Sequence, residues 1–224
     1  MAEGWRAIGI DIERHDYGSG GYPGELILQD MLTIHGSQMK DADCLVFSPP
    51  CQRYSYMAMP WKRAKAQAAE ILDDTSGEKL RELNALFDAC FRIQREASEA
   101  AGHHIPMVVE NVVGAQKWVG RAKWHYGSFY LWGDVPAVMP SARHLKVPGM
   151  NFHDFEKTGK PGRSFQSAAV KKGLAREWRN SPNGMPMMSS KSPARKAASA
   201  LIAKIPFELA RWVAHVYKPE ECAA

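Results

Sequence analysis

Short apolar runs that stop abruptly at polar or proline-rich turns constrain this chain most. Ala7-Ile8-Gly9-Ile10 ends in Asp11, Leu26-Ile27-Leu28 runs into Gln29 and Asp30, and Cys44-Leu45-Val46-Phe47 breaks at Ser48-Pro49-Pro50-Cys51-Gln52. Runs of this length bounded by turn residues read as strands. The paired prolines end the third strand and stiffen the backbone that follows. From Gly77 to Ala101 the period changes: Leu80, Leu83, Leu86, Phe87, Cys90, Phe91 and Ile93 recur mostly at spacings of three and four, which predicts an amphipathic helix stopped at Gly102. Pro106 then opens another apolar run, Met107-Val108-Val109, leading into Glu110-Asn111-Val112. Strand, loop, strand, polar loop, helix and strand predict a parallel α/β sheet. Ser128-Phe129-Tyr130-Leu131-Trp132 adds a further strand ending at Gly133-Asp134.

Composition, at 45% hydrophobic and 24% charged, argues against collagen-like, disordered and coiled-coil chains. No apolar stretch approaches the roughly 20 residues of a membrane-spanning helix, so no membrane role is expected. Met1-Ala2-Glu3-Gly4-Trp5-Arg6 lacks the pattern of a secretory signal, and the 4 cysteines have no framework spacing, so the expected compartment is a reducing cytoplasm. Charge is unevenly placed. Residues 141–204 carry 13 Lys or Arg against Asp154, Glu156 and Glu177, so a +10 segment sits on a −5 remainder within a net +5 chain. Such a patch suits a phosphate backbone, although the same lysines would also serve a solvated insert. At the C-terminal end, Ser192 and Pro193 open a predicted Ala-rich helix through Lys204, and Pro206 restarts a second with Leu209, Trp212, Val213 and Val216 on its apolar face.

Ligands bind at the carboxyl ends of strands in open parallel sheets. Here those ends present Pro50-Cys51-Gln52 and Glu110-Asn111-Val112. A cysteine on a stiff turn is a candidate nucleophile where positive charge or helix amides favour its thiolate. A neighbouring glutamate can share a proton with a heterocycle nitrogen, and the asparagine can hold the loop. Together they suit addition of sulfur to an electron-poor pyrimidine. Taken singly, such a cysteine is more often a small packed hydrophobe.

The combination is more specific. Ser48-Pro49-Pro50-Cys51-Gln52-Arg53-Tyr54-Ser55, an intervening amphipathic helix, then Val108-Val109-Glu110-Asn111-Val112 about 60 residues on, resembles the DNA cytosine carbon-5 methyltransferases, especially compact phage and prophage members. The resemblance covers roughly residues 5 to 135, with a weaker echo in the closing helices. It implies a Rossmann-like methyltransferase α/β sheet with helices on both faces, and restriction-modification or other DNA methylation as the setting. It also implies a mechanism: a flipped-out cytosine of double-stranded DNA is attacked at carbon 6 by Cys51 while Glu110 hydrogen-bonds nitrogen 3, and carbon 5 takes a methyl group from S-adenosylmethionine. Gln52 and Asn111 would organise the loop and pocket. By the same resemblance Asp11, Ile12, Asp30 and Pro49 match cofactor contacts, with Asp11 at the ribose, Ile12 against the adenine and Asp30 facing its amino group. Candidate nucleic-acid contacts are Arg53, Arg121, Lys123, Arg163, Lys171, Lys172, Arg176 and Arg179. No metal site is expected. The implied organisation is a catalytic domain over 1–140, a basic, loop-rich DNA-facing segment over 141–191, and C-terminal helices over 192–218 packing back on the catalytic domain.

Two departures qualify this. The family opens with a strand and a glycine-rich turn that cradles the methionine part of the cofactor, and nothing here corresponds to it. Gly18-Ser19-Gly20-Gly21-Tyr22-Pro23-Gly24 offers glycines, but Pro23 and the β-like run after it leave no helix N-terminus for a phosphate, so it reads as an ordinary loop. In this fold the missing strand lies between the one ending at Asp11 and the one ending at Ser48, so its loss should leave two sheet fragments. The expectation is therefore that the sequence starts at an internal methionine, that a second subunit supplies the strand and loop, or that the sheet has rearranged without normal cofactor binding. Second, Trp124-His125-Tyr126-Gly127-Ser128 stands where the family places paired arginines. Competing readings are a catalytically silent DNA-binding homologue, a nicotinamide-dependent oxidoreductase using Asp11 but lacking the glycine fingerprint, and a cysteine hydrolase whose candidate bases, His103 and His104, fall at the wrong strand end. Trp118, Trp124, Phe129, Tyr130 and Trp132 are read mainly as core packing.

Overall fold

The computed structural model of the chain describes residues 3–14, 21–55, 61–139 and 205–219. In chain order the strands are β1 (Ile8–Asp11), β2 (Glu25–Leu28), β3 (Leu45–Phe47), β4 (Met107–Asn111), β5 (Trp124–Tyr126) and β6 (Phe129–Gly133). The helices are α1 (Trp61–Leu72), α2 (Glu78–Ala101), α3 (Gln116–Val119) and α4 (Phe207–Val216). The predicted helix over 192–204, the DNA-facing segment over 141–191, and within it Arg163, Lys171, Lys172, Arg176 and Arg179, lie outside the described residues, as does part of the Gly18–Gly24 loop.

The main sheet has the order β3-β4-β6-β5. β3 and β4 are parallel, with Leu45 opposite Met107 and Phe47 opposite Val109. β6 runs antiparallel to β4 and β5 antiparallel to β6, so the sheet expected to be parallel is mixed. The cause is a tight hairpin. Gly127, at φ 60°, turns the chain between Tyr126 and Phe129 and sends it back beside itself. A glycine between two aromatic runs carried that signal, but the sequence reading assigned no strand to Trp124–Tyr126 and began the next one at Ser128. A second correction concerns the stretch between Gln52 and Gly77, read as polar loop, where Trp61–Leu72 form α1. Its Ala-rich sequence favours helix intrinsically, and Ala64 and Ile71 face the interior.

Alternation along β4 divides the core into two layers. Met107 and Val109 face α2, where they pack with Leu83, Phe87, Cys90, Ala97, Leu45 and Trp132. Val108 faces the other way, with Tyr126, Phe129 and Leu131, against Leu209 and Val213 of α4. Helices therefore cover both faces of the main sheet, and the fold is mixed α/β. As predicted, α2 stops at Gly102, whose φ of 75° lets its N–H reach Ser98 O.

β1 and β2 form a separate two-stranded parallel sheet, with Ile8 opposite Glu25 and Asp11 opposite Leu28. Both strands form where the apolar runs predict them, yet Ile8, Ile27 and Leu28 are exposed. This pair is tied to the rest at its flanks. Trp5 Nε1 donates to Ala214 O at 2.8 Å and Arg211 to Glu3 at 2.6 Å, both on α4. After β2, Gly36 lies so close to α2 that an added Cβ would fall 2.2 Å from Ile93 O, and its N–H donates to Glu96 at 2.6 Å. Just past the end of α4 the chain meets the entry to β1. Lys218 Nζ lies 3.3 Å from the Cβ position of Gly4, while burial, then Asp134 and Cys44, push the Tyr217 phenol up to about 12. Among the described residues no strand pairs with the remaining edge of β1 or of β3.

Candidate active site

The three-residue ladder between β3 and β4 sets the site. Its register continues one step beyond Phe47 and Val109, which brings Ser48 beside Glu110, and a second step, which brings Pro49 beside Asn111. Both pairs are hydrogen-bonded. Ser48 Oγ donates to Glu110 Oε2 at 2.6 Å, and Asn111 Nδ2 donates to Pro49 O at 3.0 Å. Asn111 Oδ1 also accepts from Val112 N at 2.9 Å, so one amide fixes both loops. Sequence reasoning assigned Asn111 this holding role; it did not find Ser48.

After the prolines the chain turns tightly, with Tyr54 N and Ser55 N both donating to Cys51 O, at 3.0 and 2.9 Å. Tyr54 anchors the turn in the core. Its hydroxyl lies 3.1 Å from Leu83 O and 3.1 Å from Asn84 Oδ1, and Asn84 Nδ2 donates to Trp118 O at 3.0 Å. Asn84 therefore joins the cysteine turn to the segment that follows Glu110. It was legible as a polar residue on the apolar face of α2, but its partners are 30 and 34 positions away. Gln52 is exposed on the turn, and Arg53 pairs with Glu82 at 3.1 Å.

Glu110 is 7% exposed. Burial pushes its carboxyl up to about 7, against the lowering effect of the Ser48 hydrogen bond. Around neutrality it can therefore give or take a proton. Cys51 is half-buried, and burial followed by the charge of Glu110 raises its thiol, while its own backbone N–H pulls the other way. The positive charge that would favour a thiolate is not among these influences. Both raising effects favour the thiol over the thiolate.

The other candidate residues are divided. Asp11 and Asp30 lie at the carboxyl ends of β1 and β2, as expected, but in the smaller sheet. Asp11 Oδ1 accepts from Glu13 N at 3.2 Å. Asp30 caps the 3-10 turn Met31–Thr33 by accepting from Leu32 N at 2.9 Å, a structural use of a carboxylate assigned to a ligand. Ile12 is 71% exposed, and Pro49 is buried with its carbonyl held by Asn111. Arg121 and Lys123 precede β5, with Lys123 N donating to Leu131 O at 2.9 Å, and the register of β5 with β6 brings the hairpin turn to the Glu110–Asn111 end of the sheet. His104 pairs with Asp134 at 3.0 Å beside the start of β4, the opposite end from Cys51. Phe129 and Trp132 are core residues, and Tyr130 stacks on His125 with ring centroids 4.9 Å apart.

Among the described residues no group of three or more metal-ligating side chains occurs, and no helix is long and apolar enough to cross a membrane. Comparisons with family models, curated proteins and solved structures found no match to this chain.

Proposed function

We propose that the chain is a DNA cytosine-5 methyltransferase-like protein that uses Cys51 and Glu110 to activate a flipped-out cytosine. The observation that supports this most is the clamped pair of strand ends. A cysteine turn and a buried carboxyl poised near neutrality are held side by side by two hydrogen bonds across 62 residues of sequence.

The chemistry follows from these groups. The Cys51 proton leaves to solvent, and the sulfur forms a bond to ring carbon 6 as the π electrons of the carbon 5–carbon 6 bond move into the ring. Glu110 gives its proton to nitrogen 3, so the adduct is a neutral enamine and the carboxylate remains. Carbon 5 is then nucleophilic. Reversal breaks the sulfur–carbon bond, returns the nitrogen proton to Glu110 and frees Cys51. Ionising Cys51 is easier while Glu110 is neutral, because the carboxylate charge is one of the effects that raises the thiol.

S-adenosylmethionine would supply the methyl group for carbon 5. The described residues fit one part of it, with the exposed Ile12 side chain and Asp11 at the end of β1. They do not provide a cradle for the methionine part, because among them no strand pairs with the remaining edge of β1 or of β3. No step through the cofactor is therefore assigned to this chain alone. A second subunit supplying a strand parallel to β1 and β3 would complete the cradle, and double-stranded DNA is the proposed substrate partner of the basic segment. The split sheet and the raised thiol also favour a second reading, a catalytically silent DNA-binding homologue.

One cofactor-independent test separates these readings. Carbon 5 of the enamine takes a proton from water and can then lose its tritium to water before the sulfur departs and the carbon 5–carbon 6 bond reforms, so the protein should release tritium from duplex DNA carrying 5-tritiated cytosine, and Cys51→Ser should abolish the release. With labelled S-adenosylmethionine, a 5-fluorocytosine duplex should trap Cys51 covalently when the cradle is complete. Salt-sensitive duplex binding without tritium release or adduct, and unchanged by Cys51→Ser, would establish the silent homologue instead.

A further inference from the structure

We infer that Ser48 is a positioning residue for Glu110: by holding Oε2 it makes Oε1 the oxygen from which a proton is presented to the ring nitrogen of a bound base. The inference rests on the proposed acid–nucleophile reading of the site and adds a group which that reading does not require. Its basis is geometric. Pairing of Phe47 with Val109 brings the two side chains together, and the 2.6 Å separation lies in the range of a hydroxyl donating to a charged carboxyl oxygen.

A serine hydroxyl has one proton to donate, and here it points at Oε2. A proton on the same carboxyl then sits on Oε1, while Oε2 keeps a lone pair free to accept from an amino group. A carboxylic acid held this way offers a donor and an acceptor side by side. That pattern matches a ring nitrogen acceptor next to an exocyclic amine. Without Ser48 the carboxyl could carry its proton on either oxygen and turn about its terminal torsion, which has broad minima. Among the described residues, Cys51 is a titratable group coupled to Glu110.

The test uses the full chain with carbon-13 carboxyl labels on glutamate and follows Glu110 by NMR through a pH titration, its signal assigned by loss in Glu110→Gln. Ser48→Ala should raise the proton affinity of Glu110 at least about tenfold, the effect of removing a hydrogen bond to a charged group. Ser48→Thr, which keeps the hydroxyl, should restore the wild-type midpoint. A repeat in Cys51→Ser removes the coupled thiol and should leave the difference between the Ser48 variants intact. An unchanged midpoint in folded Ser48→Ala, or a Ser48→Thr that behaves like alanine, overturns the inference. Tritium release should show its alkaline limb moved upward in Ser48→Ala, in step with the NMR midpoint; a limb that stays put also overturns it. Since the NMR titration needs no substrate, failure of wild-type tritium release with a normal Ser48 effect counts against the proposed function and leaves the Ser48–Glu110 coupling standing.

Discussion

The four-stranded sheet and the two-stranded sheet are built from similar short apolar runs, yet they differ in how they are packed. β4 is buried along its whole length, with α2 on one face and α4 on the other. β1 and β2 keep Ile8, Ile27 and Leu28 in solvent and are held mainly through contacts at their ends. The difference locates precision in the molecule. Cys51 and Glu110 are presented from a ladder fixed by two core layers, whereas Asp11 and Ile12 are presented from a pair of strands with little burial of their own. A short strand pair is marginal in isolation, so the smaller sheet has most to gain from an added strand.

The contrast predicts where substitutions matter, and activity should show it most. Cys51→Ser should remove tritium release altogether, and Glu110→Gln should slow it by about 10²–10⁴-fold, the range for losing a positioned acid. Asp11→Ala should leave cofactor-free release within about threefold of wild type, because Asp11 stands in the other sheet; a loss comparable to Glu110→Gln would show that the two regions act as one site.

In stability the contrast should be smaller but plain. Phe87→Ala, at a residue 2% exposed, should cost about 3–5 kcal/mol in denaturant unfolding. Ile8→Ala, at a residue 48% exposed, should cost about 1 kcal/mol or less. Equal costs would mean that the smaller sheet is packed in solution as tightly as the larger.

Glu110 connects stability to pH. Its carboxyl is raised from 4.5 to about 7 in the folded chain, so between those values the native state holds more protons than the unfolded state and stability falls as pH rises. The loss should approach about 3 kcal/mol by pH 8, and Glu110→Gln should remove it. A wild-type stability that stays flat from pH 5 to 8 relative to Glu110→Gln would place the carboxyl in a wetter site. The smallest effect should come from Arg53→Ala, because the Arg53–Glu82 pair is exposed, and such pairs contribute about 0–1 kcal/mol. A larger cost would give Arg53 a structural part in the cysteine turn.

Much of this was legible from local pattern. The strand ends at Asp11 and Phe47, the strand opening at Met107, the long helix stopped at Gly102, and the buried face of α4 at Leu209 and Val213 all follow from periodicity and turn chemistry. β5 was missed because a three-residue strand has too little pattern of its own and exists through pairing with β6. α1 was missed because its Ala-rich face buries little. Ser48 and Asn84 were invisible as site residues for the same reason: each matters through partners 30 to 62 positions away.

The sequence alone determined where strands stop, which residues stand at their carboxyl ends, and the kind of chemistry that Cys51 and Glu110 could share, because these depend on neighbours a few positions apart. Tertiary structure decided that Ser48 meets Glu110, that the carboxyl is buried enough to titrate near neutrality, and that Asp11 belongs to a different sheet from Cys51. Those outcomes depend on register, on the water excluded by packed helices, and on which strand edges find partners, none of which is a local property of the chain.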